Sequence, residues 1–353
     1  MATVHLDAAV HVDATVQVDP AVQVDPPTPA RVRAGRSRRP LAKLPLSLFG
    51  IPLGVAGLGG GWSAATGALN APHWPNEVLY AAATVLWLAF GLVYLVQGVR
   101  RRGSFRTDLR HPVEAPNAAF IPLVGILLSA HYSEVIPVVG RALCLVFVIT
   151  LAVVAAQQFA HWLTGGVTMQ AIHPGYFVPV VAGAFVGSIG LSSIGLHDAA
   201  LAAFGVGIFF WLVIGTVVCL RLMTAGALPD AAKPALAAFV AAPATASIAW
   251  IVAHPGPMGI VQLLLTGILA MMLLVQVVLI GEYRRLPFSL SFWIFTFPIA
   301  STANYAVRWF AASGLPGWQI GAWIFLGAAT LFIAAIAAMT LTRLARPARV
   351  ATL

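Results

Sequence analysis

Long apolar runs alternate with short polar joints over most of the chain. Ten runs are long enough to cross a bilayer, which takes about 20 apolar residues. They are Leu48–Leu69, Val78–Val99, Asn117–Ile136, Val138–Leu163, Pro174–Leu196, Ala199–Met223, Pro234–Ala253, Gly259–Ile280, Phe288–Ala311 and Trp318–Leu341. The pattern predicts an all-α integral membrane protein with one ten-helix domain over 44–342 and no soluble catalytic domain.

Prolines punctuate the runs on a regular plan. Pro52, Pro122, Pro179, Pro243 and Pro298 each fall in an odd-numbered run, spaced by 70, 57, 64 and 55 residues. A proline inside a helix removes one backbone hydrogen bond and costs about 3 kcal/mol. Five at matching places predict a unit used five times, with a bent helix in each.

Charge placement gives the units a direction. Of the 20 Lys and Arg, 18 lie in segments on one side, Arg31–Lys43, Arg100–Arg110, Arg221–Lys233, Glu282–Arg285 and Arg343–Arg349. Only Arg141 and Arg308 fall on the other side. The positive-inside rule then puts both termini in the cytoplasm, as an even number of spans requires. Every odd span runs outward and every even span returns, so the chain reads as five helical hairpins of one polarity. Such repeats are related by an axis along the membrane normal, which predicts a quasi-fivefold ring around a central pore, odd helices inside and even ones outside.

Composition agrees. Hydrophobic residues make up 60% and charged residues 9%, with mean hydropathy +0.90, against roughly 25% charged in a soluble domain. The pI near 10.4 follows from topology and calls for no nucleic-acid partner. Odd spans are rich in small residues, which let helices approach closely, and in hydroxyls: Ser63, Thr66, Ser188, Ser192, Ser193, Thr245, Ser247, Ser301 and Thr302. No Asp or Glu lies in mid-span, whereas cation sites and proton relays depend on intramembrane acids. A bore of this kind tolerates small anions better than cations.

The ends differ from the spans. Asp7, Asp13, Asp19 and Asp25 recur in a six-residue repeat broken by Pro20, Pro26, Pro27 and Pro29. Residues 1–43 are therefore expected to form a disordered acidic tail and a basic cytoplasmic segment, and 343–353 a short basic cytoplasmic tail.

Five motifs, one in each hairpin, carry a resemblance: FGIPLG (Phe49–Gly54), HPVEAPNAAFIP (His111–Pro122), HPGYFVPVVAGAFV (His173–Val186) with GLHD following, AAPATASIAW (Ala241–Trp250) and FSLSFWIFTFPIASTAN (Phe288–Asn304). The chain resembles the tellurite-resistance/dicarboxylate transporter family, which includes bacterial TehA and the slow anion channels of plant guard cells. The resemblance covers about Leu48 to Leu341. It implies a quasi-fivefold ten-helix bundle with a central pore, a homotrimer, a bacterial inner-membrane location, and a phenylalanine of the ninth helix that occludes the pore; the matching position is Phe297. Two departures are that Glu114 stands where the family more often has a basic residue, and that the proline at 298 is variable in the family.

Phe297, Ser301, Asn304 and Arg308 share a helical face. They give a gate, two pore-lining polar groups and a cation at the outer mouth. Thr245, Phe49, Phe120 and Phe177 complete the pore-lining candidates, and the five prolines are the helix-kink candidates. Two other classes make different demands on the chain. A redox enzyme would need facing histidines in mid-span, but His111, His131, His161, His173, His197 and His254 fall at span ends; Cys144 and Cys219 have no CxxC spacing. No cofactor or metal is expected. A carrier for C4-dicarboxylate, sulfite or tellurite-type oxyanions would use the same scaffold, and would call for a buried Arg or Lys at mid-depth, which the span pattern does not supply.

Overall fold

The computed structural model describes residues 44–100 and 104–345. The expectations for residues 1–43, and for the basic tail beyond Ala345, lie outside these. The main helices are α1 (Gly50–Leu69), α2 (Trp74–Arg100), α3 (Ser104–Leu109), α4 (Phe120–Tyr132), α5 (Pro137–Leu163), α6 (Gly183–Ser193), α7 (His197–Thr224), α8 (Ala238–Ala253), α9 (Ile260–Tyr283), α10 (Thr296–Ser313) and α11 (Trp318–Ala345).

Five of these, α1, α4, α6, α8 and α10, begin in the same unusual way. Each continues from a tighter or looser turn: 3-10 segments Leu46–Phe49, Ala115–Ala119, Asp230–Ala237 and Leu290–Phe295, and a π-helical turn Val178–Ala182. The prolines sit at these changes. Pro52, Pro122 and Pro298 are each the third residue of their α-segment, Pro179 lies within the π turn, and Pro243 is one turn further in. A proline has no N–H to give four residues back, and the chain just ahead bonds three back instead: Gly50 to Ser47, Phe120 to Asn117 and Thr296 to Trp293. The prolines thus mark a switch of helical form near one end of each helix.

The imidazoles of His111-Pro112 and His173-Pro174 turn the chain into such segments. His173 Nδ1 accepts from the Gly175 N–H at 3.1 Å, and His111 Nδ1 from the N–H groups of Val113 and Glu114. Burial pushes His173 below the ordinary histidine range, with the Arg221 charge acting in the same direction.

Contacts between elements form two sets. α1 packs on α10, α10 on α8, α8 on α6, α6 on α4, and α4 back on α1, which closes a cycle. Each cycle helix also packs on its sequence successor: α2, α5, α7, α9 and α11 respectively for α1, α4, α6, α8 and α10. Polar side chains tie the sets together. Trp62 donates to Thr330 at 3.2 Å, Trp293 to Thr340 at 3.0 Å, and Ser188 to the Ala200 carbonyl at 2.7 Å.

Among the described residues, nine helices are long and apolar enough to cross a membrane. The tenth expected span, around α10, is helical over Leu290–Ser313 but falls short in apolarity. Ser301, Thr302, Asn304 and Arg308 dilute its hydrophobic residues. In the four cycle spans that qualify, between 67% and 83% of the hydrophobic window is buried in the protein; in the five flanking spans the share is 11% to 28%. Val85, Leu92, Leu212, Val278 and Leu331 are among the exposed side chains of the flanking helices. That exposure suits lipid as solvent.

Candidate functional site

One face of each cycle helix borders a common cavity of about 180 Å³. α1 supplies Ala56, Gly57, Gly60 and Ser63; α4 and the turn after it, Leu127, Ala130, His131 and Glu134; α6, Val186, Ile189 and Ser193; α8, Thr245, Ile248 and Val252; α10, Phe297, Ser301, Asn304 and Arg308. Steps of three and four along every helix are the signature of a single helical face. The flanking helix α2 adds Tyr80.

Along α10 the wall runs from Phe297 to Arg308, a rise of about 16 Å at 1.5 Å per residue. Phe297 is half-buried and leans on Gly57, where a Cβ would come within 3.0 Å of its ring. Gly54 makes room for Thr296 in the same way, and Gly60 for Asn304. The glycine stripe of α1 lets α10 lie close against it.

Polar groups in the wall are mostly committed to their own helices. Ser301 donates to the carbonyls of Phe297 and Pro298 at 2.8 and 3.1 Å, and Thr245 to those of Ala241 and Ala242 at 2.7 and 3.1 Å. Each hydroxyl thereby shows the cavity acceptor rather than donor character. Of the other hydroxyls grouped by sequence, Ser63 and Ser193 border the cavity. Thr66, Ser188 and Thr302 bond to backbone carbonyls elsewhere. Ser192 and Ser247 are buried away from the cavity.

At the other end of the wall donors stand beside one carboxylate, Glu134. Arg308 Nε gives a 2.9 Å hydrogen bond to Asn304 Oδ1. No carboxylate among the described residues lies within 4.0 Å of Arg308; the ion pairs found there involve His131, Lys233 and Arg285. The Tyr80 ring is held between the Gly59 backbone and the His131 ring, the latter stacked at 3.8 Å and 7°. His131 Nε2 is 3.3 Å from Glu77 Oε2.

The structure brings Phe297, Ser301, Asn304, Arg308 and Thr245 together on this wall and places the other three aromatic candidates elsewhere. Phe49 is fully buried with its ring edge-on to Phe90 and Tyr94 of α2, at 6.0 and 6.4 Å. Phe177 packs on Phe239 at 5.3 Å, and Phe120 is buried near Gly50. One of the two inward-turned basic groups was not among the sequence candidates. Arg308 lines the cavity, and Arg221 is buried at the end of α7, donating to the carbonyls of Gly226 and Gln170. Helical spacing had already put Arg308 on the cavity-facing stripe, whereas Arg221 stands near a span end, so only the packing reveals that it turns inward. Tyr80, His131 and Glu134 went unassigned because Tyr80 belongs to a flanking helix, and the other two to a helix end.

A family model described as voltage-dependent anion channel, SLAC1, matches residues 43–341. The chain belongs to the SLAC1 family. Among its curated relatives, S-type anion channel SLAH2 of Arabidopsis thaliana is 28% identical over 312 residues, covering 85% of this chain and 59% of the relative. The tellurite resistance protein TehA homolog of Haemophilus influenzae is 26% identical over 305 residues, covering 86% of this chain and 92% of the relative. Guard cell S-type anion channel SLAC1 of Arabidopsis thaliana is 26% identical over 291 residues. The chain thus spans a little over half the length of the plant relatives and nearly all of the bacterial one. Family membership and the membrane-length helices together make this SLAC1-family chain an integral membrane protein.

Proposed function

We propose that the chain is an anion channel of the bacterial inner membrane. Its five cycle helices form a quasi-fivefold ring of same-polarity hairpins around a central pore, with Phe297 closing that pore. The observation that carries this reading is the cavity itself: each of the five helices contributes one face to it, and its wall holds a cation, Arg308, together with one carboxylate, Glu134, in the turn after α4. Membership of a family described by anion channels supports the ion type. Phe297 stands at the end of the α10 wall remote from Arg308, where its ring would block passage by size and by dewetting. Arg308 marks the outer mouth and raises the local anion concentration. Both termini are cytoplasmic by the positive-inside rule, and the resemblance to the family adds a homotrimer.

A carrier for C4-dicarboxylate, sulfite or tellurite-type oxyanions is the second reading. The guanidinium in the cavity wall favours it, since a bound substrate anion would need such a partner. Planar-bilayer recordings under chloride, nitrate, sulfite and malate gradients separate the two. A channel gives ohmic current with a reversal potential that follows the permeant anion. External substrate that accelerates tracer exchange without such a current would replace the channel reading with the carrier.

A further inference from the structure

Arg308 and Glu134 both line this cavity, and neither has an ion-pair partner among the described residues. Desolvating a guanidinium is costly unless something negative or well hydrogen-bonded meets it, and no described carboxylate does. Its Nε is satisfied by Asn304 Oδ1 at 2.9 Å. Among the described residues the two amino groups of Arg308 have no acceptor, and the bond to Nε fixes the Asn304 amide with Nδ2 on the opposite side. There Nδ2 lies over Gly60: a Cβ on Gly60 would be 3.0 Å from it and 3.5 Å from the Tyr80 hydroxyl. The hydroxyl has no hydrogen-bond partner among the described residues, and its ring is clamped between Gly59 and His131. Three kinds of donor therefore border one stretch of wall.

We propose that Arg308, Asn304 and Tyr80 form a dwell site for one small monovalent anion, such as nitrate or chloride, and that the site discriminates against dianions. This proposal rests on the pore reading for its role in conduction, and on the donor geometry alone for its existence. One guanidinium balances one negative charge. A dianion would leave a second charge facing Glu134, the acid in the same wall, in a space where like charges repel strongly. The cavity of about 180 Å³ has room for a small anion and accompanying water. Gly60 is part of the site because any side chain there would occupy the space between the two neutral donors. Tyr80 and Asn304 supply neutral hydrogen bonds, so they tune affinity, whereas the Arg308 charge sets it.

Binding is measured apart from transport, by thermal unfolding of the detergent-purified protein in sodium nitrate, chloride, malate or gluconate at fixed ionic strength. Nitrate and chloride should raise Tm saturably above gluconate, and malate should not. Arg308→Gln should weaken nitrate binding about tenfold or more, and Tyr80→Phe about two- to tenfold, in line with charged and neutral hydrogen bonds. Gly60→Ala should weaken it as well. Arg308→Lys retains the charge and guards against a folding artefact: it should keep most of the shift. A nitrate shift absent from the parent protein, unchanged in Arg308→Gln, or matched by malate would overturn the proposal, as would its loss in Arg308→Lys with the unliganded Tm intact. Saturable nitrate binding alongside no anion current would leave the dwell site standing and remove the pore reading.

Discussion

The cycle helices and the flanking helices reverse the usual relation between hydrophobicity and burial. The less apolar set is the more buried. α10, with its serine, threonine, asparagine and arginine, falls short of the apolarity of a membrane span, yet sits in the middle of the contact cycle. α9, a run of leucine, valine and methionine, leaves most of its surface exposed. In water that arrangement would be unstable. In lipid, apolar surface gains nothing by hiding, so burial goes to helices with close-packing small residues and polar groups to satisfy. The difference teaches that the inside of this protein is specified by glycine, proline and hydroxyl positions, and the outside by bulk hydrophobicity.

The largest expected effect comes from an aromatic that belongs to neither the cavity nor the lipid face. Phe49→Ala removes a fully buried ring and should cost about 3–5 kcal/mol, read as a fall in Tm or in monodisperse yield. If instead it raised anion flux without destabilising, Phe49 would belong to the pore. Next, Met271, 56% exposed at the middle of α9, should accept Leu within about 0.5 kcal/mol. Arg there should add about 2.5–3.5 kcal/mol to insertion, measured in a membrane-insertion assay. Equal tolerance of Arg would deny that this face meets lipid.

Matched glycine substitutions sharpen the contrast. A Cβ on Gly54 would collide with the Thr296 side chain, whereas one on Gly91 of α2 has nothing within 4 Å. Gly54→Val should therefore destabilise by about 1–3 kcal/mol, while Gly91→Val should leave Tm nearly unchanged. Smaller still, Trp62→Phe removes the hydrogen bond from α1 to Thr330 of α11, for about 0.6 kcal/mol. The smallest effect concerns pH. Because burial lowers the pKa of His173 in the folded state, the unfolded chain binds the proton more readily, and stability falls as pH drops below the ordinary histidine range. Replacing His173 with Asn, which keeps an acceptor for the Gly175 N–H, should flatten that slope in acid unfolding curves.

Helix ends were legible because hydropathy changes abruptly at the joints. Expected spans such as Val138–Leu163 and Trp318–Leu341 lie within a few residues of Pro137–Leu163 and Trp318–Ala345. The α10 stripe was legible because four residues on one helix share a face by arithmetic alone. The remaining aromatics were not, and their register explains why. Phe297 lies one residue before its proline, Phe120 and Phe177 two before, and Phe49 three before. Each residue turns a side chain by roughly 100°, so similar-looking motifs point their rings in different directions. Tyr80 could not be found from periodicity, since it reaches the cavity from a flanking helix past Gly59, a contact that exists only once the helices pack. Nor does the spacing of prolines disclose that they mark changes between helical forms; that depends on which carbonyls the upstream turns satisfy.

Anion flux through Phe297→Ala tests the closing role of this ring most directly. Reconstituted in liposomes loaded with a chloride-sensitive dye, the variant should pass chloride or nitrate at least about tenfold faster than the parent protein, the equivalent of about 1.4 kcal/mol of barrier. Its unfolding temperature and elution profile should match the parent's. Unchanged flux in a normally folded Phe297→Ala protein would contradict the closing role of this ring, and with it the reading of the cavity as a pore held shut from one end.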